Sequence, residues 1–203
     1  MIETVIFDIG NVLIDFDWYS YVSSMYDDDT VNIIYHAIWD ELLWLELDRG
    51  ALPEDEVIER IKAGAPDYRE VLDNVFDRVG ECVHRTDYAI PWIREIKDKG
   101  YQVLYLSNYS SFVRRKNPDV LDFLPYMDGG VFSYQVHLLK PEEAMYQEIC
   151  KQFDLVPGNC LFIDDNKDNI EAAEKFGLNT VHFQSYEDAH EKVNEILRGN
   201  QSS

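Results

Sequence analysis

Three short apolar runs end abruptly in polar side chains, and this pattern constrains the fold more than any other. Val5-Ile6-Phe7 runs into Asp8, Val103-Leu104-Tyr105-Leu106 into Ser107-Asn108, and Cys160-Leu161-Phe162-Ile163 into Asp164-Asp165. Runs of four or so apolar β-formers without alternation are the mark of strands buried on both faces. Gly10 and Asn11 follow Asp8 at once, and both residue types accept a tight turn. Open α/β sheets place their ligands at the carboxyl ends of parallel strands. The three polar ends therefore predict a shared edge.

The segments between the runs complete the expectation. Pro91 opens a helix carrying Ile93 and Ile96 and stopped by Gly100. Pro141 opens one through Met145, Ile149 and Phe153. A third carries Ile170, Ala173 and Phe176 and stops at Gly177. Gly130-Val131-Phe132-Ser133 and Thr180-Val181-His182-Phe183 read as further strands, and Ala189, Val193, Ile196 and Leu197 as one face of a last helix, with a frayed tail from Gly199. Strand and helix alternate, which gives an α/β chain with a doubly wound parallel sheet. Residues 15–88 differ. Val31, Ile34, Tyr35, Ile38, Leu42 and Leu45 keep helical spacing up to Gly50, Pro53 and Pro66 open further helices, and no strand is evident. The chain thus divides into a core of residues 1–14 and 89–203 and an inserted all-helical segment, 15–88.

With 203 residues, 46% hydrophobic, the chain can bury a good core. Its formal charge of −21 repels nucleic acid and anionic lipid, so neither is expected as a partner. The same charge repels phosphate esters unless a local cation intervenes. Cys82, Cys150 and Cys160 are scattered and odd in number, as in a reducing compartment. No apolar run approaches the roughly 20 residues of a membrane helix. A cytoplasmic protein is expected, a monomer or a weak homodimer.

Each residue at the predicted edge has chemistry to offer. Asp8 is a candidate nucleophile, since a carboxylate can attack phosphorus to give an aspartyl-phosphate. Asp164 and Asp165 are hard oxygen ligands for Mg²⁺, with Asp8 and the Gly10 carbonyl as further donors. The Ser107 hydroxyl and Asn108 amide would hold phosphoryl oxygens, and the Lys140 ammonium would balance the charge of the phosphate and of Asp8. Plainer readings exist for each: a turn at Ser107-Asn108, a solvated Lys140, a helix N-cap at Asp164-Asp165-Asn166. Joint occurrence at strand ends favours chemistry, because two adjacent carboxylates there cost folding energy unless a cation satisfies them.

The whole set resembles the haloacid dehalogenase superfamily. Phe7-Asp8-Ile9-Gly10-Asn11-Val12 is similar to its first motif, with the nucleophile at Asp8. Leu106-Ser107-Asn108 is similar to the second, Lys140-Pro141 to the third, and Asp164-Asp165-Asn166 to the fourth, the metal-binding pair. The helical insert falls where this family carries a cap. Within it, the likeness is to the bacterial subgroup that includes α-D-glucose-1-phosphate phosphatase. The resemblance implies a Mg²⁺-dependent phosphomonoesterase acting on a small phosphorylated metabolite such as a sugar phosphate. One departure stands out. Most phosphatases of the family have an Asp two residues after the nucleophile as general acid and base, and here that residue is Gly10. General acid–base catalysis is worth about 10²–10⁴-fold, so the departure implies either a sluggish enzyme or another proton source. The similar subgroup also has Gly at this position, which argues against a dead enzyme.

Two other functions stay open at this level. The same resemblance covers 2-haloacid dehalogenases, which need no metal, and Gly10 is compatible with a non-catalytic binding module. Trp39 and Trp44 read as packing, and Arg49 as a helix-end cation with reach toward a substrate. Asp15 and Asp17 have no evident place.

Overall fold

In the computed structural model, which describes residues 1–201, the elements run as follows. Strand β1 (Thr4–Phe7) is followed by β2 (Ile14–Phe16), then helices α1 (Trp18–Ser23), α2 (Asp28–Trp39), α3 (Leu43–Arg49), α4 (Glu54–Gly64) and α5 (Arg69–Asp77), and strand β3 (Val83–Arg85). After these come α6 (Ala89–Asp98), β4 (Gln102–Ser107), α7 (Ser111–Lys116), β5 (Gly129–Phe132), α8 (Ser133–Val136) and α9 (Glu143–Gln152). The chain finishes with β6 (Cys160–Asp164), α10 (Lys167–Phe176), β7 (Asn179–His182) and α11 (Tyr186–Gln201). Helix α11 continues through Gly199, in place of the frayed tail that the sequence suggests. The rest of that expected tail, Ser202 and Ser203, lies outside the described residues.

Five strands form one parallel sheet in the order β5-β4-β1-β6-β7. Phe7 pairs with Tyr105 on one side and Ile163 on the other, so the polar ends of β1, β4 and β6 reach the same edge. The chain builds outward from β1 through β4 to β5, then returns to place β6 against the opposite side of β1. That reversal opens a crevice at the carboxyl edge beside β1. Alternation along the strands feeds two apolar clusters. Ile6, Leu104, Leu106 and Phe162 pack under α9 and α10, against Met145, Tyr146 and Ala173. On the other face Val5, Phe7, Val103 and Leu161 pack with Trp92, Ile93 and Val193, in a cluster that continues into the inserted helices.

Two features of the insert differ from the sequence expectation. It contains strand after all: β2 and β3 pair antiparallel, with Ile14 opposite Arg85 and Phe16 opposite Val83. Strand β2 crosses the expected start of the insert while β3 lies inside its expected end, and Thr86 fastens the base of the ribbon with two bonds to the Leu13 carbonyl. Strands of three residues are too short for alternation to show. Nor is the segment from Val31 to Leu45 a single helix face. Leu42 adopts a left-handed backbone (φ 55°) and is 61% exposed, separating α2 from α3. Asp40 and Glu41 sit at the carboxyl end of α2, where the helix dipole disfavours negative charge. The break reorients α3 so that Leu43, Trp44, Leu47 and Asp48 face inward.

Gly130 is needed where β5 meets β4. Its φ is +157°, and an added Cβ would lie 2.3 Å from the Tyr105 carbonyl oxygen. We expect Gly130→Ala to cost on the order of 2–4 kcal/mol, read as a lower urea midpoint. A loss under about 0.5 kcal/mol would contradict this reading of the β4–β5 contact.

Candidate active site

Asp8 leaves β1 at the sheet's carboxyl edge, its N–H donating to the Ile163 carbonyl at 2.8 Å. The edge residues converge on Lys140. Its Nζ lies 2.8 Å from Asp8 Oδ1 and 2.6 Å from Asp164 Oδ2, and all three residues are buried. The Ile9 N–H also donates to Asp8 Oδ1, at 2.7 Å. Asp164 is saturated. Oδ1 accepts from the Asn166 N–H at 2.8 Å and from Asn169 Nδ2 at 3.1 Å, while Oδ2 accepts from Lys140 and from Asn169 Nδ2. Asp165, by contrast, takes one side-chain hydrogen bond among the described residues, at Oδ2 from Asn11 Nδ2 at 3.2 Å. Carboxylate oxygens of Asp8, Asp164 and Asp165 all lie within 4.8 Å of one another. This is the one such group of potential metal ligands among the described residues.

The electrostatics follow from burial. Desolvation drives the Asp8 carboxyl up to about 7; the Lys140 charge pulls it down, and Asp164 and Asp165 push it up again. Burial alone would lower Lys140, but Asp164 and Asp8 reverse this and hold it above its ordinary value, so it is a fixed cation. Asp165 is raised by burial and by Asp164. Asp8 bonds a fixed cation and is still raised on balance, and Asp165 is raised beside it, so the site is short of positive charge. Hard oxygen donors with uncommitted lone pairs on Asp8 and Asp165 fit a small divalent ion.

Above this floor lies a cavity of about 300 Å³, within the size range of small-molecule sites. Asp8, Gly10, Asn11, Asn108, Lys140 and Asp165 line its base; Phe16, Trp39, Trp44, Leu45 and Asp48 line it from the ribbon and the inserted helices. Lys140 is the one basic side chain among these residues. Trp39 and Trp44, read from the sequence as packing, are therefore also cavity wall, with ring centroids 5.3 Å apart. Trp39 Nε1 and the Tyr109 hydroxyl are buried with no hydrogen-bond partner among the described residues, and both residues line the cavity.

The structure thus gathers Asp8, Gly10, Asn108, Lys140, Asp164 and Asp165. Ser107 is wholly buried at the end of β4, its hydroxyl without a hydrogen-bond partner among the described residues. Asn108 has a job that the sequence did not suggest. Its amide donates to the Lys140 carbonyl at 3.0 Å and accepts from the Lys140 N–H at 2.9 Å, locking the loop that delivers the ammonium. Arg49 does not enter the cavity. It bonds Glu142 at 2.7 Å and the His137 carbonyl, tying α3 to the core. Asp17 caps α1 and Asp15 lies in β2; neither lines the cavity. Gly10 is not required by space, since an added Cβ meets nothing within 4 Å.

Sequence reasoning missed Asp48, which is 8% exposed and lines the cavity. Its signal was a carboxylate on the same face of α3 as Leu43, Trp44 and Leu47.

Comparison with known proteins gives concordant results. The family model for haloacid dehalogenase-like hydrolases matches residues 2–177. A D-ribitol-5-phosphate phosphatase from Bacteroides thetaiotaomicron is 25% identical, covering 97% of this chain and 99% of that protein. Among solved structures, a HAD-like family hydrolase from Porphyromonas gingivalis aligns with a TM-score of 0.76 at 24% identity over 98% of both chains. A HAD family enzyme from B. thetaiotaomicron, in complex with magnesium and inorganic phosphate, aligns with a TM-score of 0.68 at 16% identity, covering 92% of this chain and 96% of that one. Among the described residues, no helix is long and apolar enough to cross a membrane.

Proposed function

Because the chain belongs to the haloacid dehalogenase-like hydrolase family, we propose that it is a Mg²⁺-dependent phosphomonoesterase with Asp8 as nucleophile. Its substrate is a small phosphorylated metabolite with an uncharged leaving group, a sugar or polyol phosphate of the size of glucose 1-phosphate. One observation carries the reading: Asp8 and Asp165 keep open oxygens beside a cation that is fixed between buried carboxylates. The D-ribitol-5-phosphate phosphatase relative supports the substrate class. So does the cavity. Aromatic walls suit the C–H faces of a polyol, and Lys140 as the one lining cation leaves nothing to neutralise a second anionic group. We read residues 15–88 as the cap that shapes this wall.

In this account Asp8 attacks phosphorus and the alcohol departs. Lys140 keeps Asp8 ionised and neutralises charge on the phosphoryl group. The unpartnered Ser107 hydroxyl and the Asn108 main chain take phosphoryl oxygens, while the Asn108 side chain positions Lys140. Asp8, Asp165, Asp164 and the Gly10 carbonyl would hold Mg²⁺; the ion would supply the positive charge that the carboxylate cluster lacks.

A screen of phosphorylated metabolites tests this. Phosphate release should fall at least about 100-fold in EDTA and return when Mg²⁺ is restored. Turnover that survives chelation, or turnover of a 2-haloacid in place of phosphate esters, would favour the dehalogenase reading instead. The acidic cluster argues against that outcome.

A further inference from the structure

A departing alkoxide is too basic to leave unprotonated at neutral pH, and Gly10 supplies no acid. Asp164 is saturated with hydrogen bonds, and Asp15 and Asp17 lie outside the cavity. One further carboxyl remains in the cavity: Asp48, on α3, opposite the sheet edge. It is buried, and no donor engages its carboxyl among the described residues. Its mount is firm. The Asp48 carbonyl accepts from Ser133 Oγ at 2.6 Å, Arg49 is clamped to Glu142, and Gly50 packs against Tyr134 so closely that an added Cβ would lie 2.9 Å from the Tyr134 Cβ. The charges that face it are Asp8, which disfavours its ionisation, and Lys140, which favours it. Burial dominates and pushes the carboxyl up to about 8. An unpartnered buried carboxylate is costly, whereas the neutral acid is a hydrogen-bond donor aimed at whatever fills the cavity.

We propose that Asp48 is the catalytic acid and base, a proton donor carried by the inserted helices in place of the residue missing at Gly10. The proposal rests on the phosphatase reading above. In the first half-reaction the Asp8 carboxylate forms a bond to phosphorus, the phosphorus–oxygen bond to the alcohol breaks, and the Asp48 proton passes to the departing oxygen. In the second, water attacks phosphorus, the ionised Asp48 takes its proton, and inorganic phosphate leaves as the Asp8–phosphorus bond breaks. Asp8 and protonated Asp48 are both regenerated.

The test compares Asp48→Asn with the wild type, both with Mg²⁺, on ribitol 5-phosphate and on 4-nitrophenyl phosphate, whose leaving group needs no proton. For the alkyl ester kcat/KM should fall at least about 100-fold. The loss on the aryl ester should be at least about tenfold smaller. Its kcat should nevertheless drop, with a burst of one 4-nitrophenolate per enzyme, because the phosphorylated Asp8 now waits for a base. Equal losses on both esters, or no loss on either, would overturn the proposal. As a second measurement, wild-type kcat/KM across a series of aryl and alkyl esters should depend only weakly on leaving-group basicity; a steep dependence would also overturn it. If the wild type releases phosphate from neither ester, the phosphatase reading itself falls, a result distinct from both.

Discussion

Replacing Asp8 with Asn should lower phosphate release by about 10⁴-fold or more, because the amide keeps the shape of the carboxylate and cannot attack phosphorus. The fold should survive. The oxygen of the new amide can still accept from the Ile9 N–H, and Lys140 keeps Asp164, 2.6 Å away, as its counter-charge. The substitution also removes a carboxylate whose ionisation burial opposes. Matching urea midpoints with collapsed turnover would separate a lost nucleophile from a lost structure. Activity within about tenfold of the wild type would show that Asp8 does not form the covalent intermediate.

Lys140→Met should act on both stability and turnover. The ammonium lies within 2.8 Å of Asp8 and 2.6 Å of Asp164, and both carboxylates are buried. Removing one partner of such a cluster strands the charges left behind, at a cost of about 3–5 kcal/mol. The pH dependence has a definite sign. Asp8 titrates up at about 7 even with Lys140 present, above its unfolded value, so the folded state binds the extra proton. Without Lys140 the pull that lowers this value is gone. Stability of the variant should therefore recover as pH falls from about 7 to about 5, where the folded state takes up the proton and the unfolded chain does not. Urea unfolding in EDTA at the two pH values measures it. A deficit that is the same at both, or that grows toward pH 5, would show that Lys140 does not hold the carboxylates in place.

How much of this was legible beforehand depends on how local each signal was. Strands β1, β4 and β6 announced themselves as unbroken apolar runs, and a parallel sheet leaves their polar ends no other place than one edge. Asp8, Asp164 and Asp165 meet for that reason, though they stand far apart in the chain. Lys140 was legible as a motif but not as the centre of the cluster, because its placement depends on the reciprocal bonds to Asn108. The β2–β3 ribbon was hidden by its shortness. Asp48 was hidden by a break. Continued helical spacing from Val31 put Leu42 and Leu45 on the buried face, and only the left-handed turn at Leu42 rotates α3 so that Trp44 and Asp48 face the cavity. Local periodicity cannot report a reorientation of one helix against another. Trp39 and Trp44 do pack against the core, as their spacing implied, but their second role as cavity wall was hidden for the same reason, since a Trp that only packs and one that also lines a cavity have the same spacing.

The proposed chemistry stands most directly on a covalent intermediate at Asp8. Mixing the protein with Mg²⁺ and 4-nitrophenyl phosphate, quenching in acid within milliseconds and weighing the peptides should place the mass of one phosphoryl group on the peptide that contains Asp8. Under the same quench, Asp8→Asn should carry none. Steady phosphate release with that peptide unmodified in both proteins, or with the added mass on another residue, would contradict it.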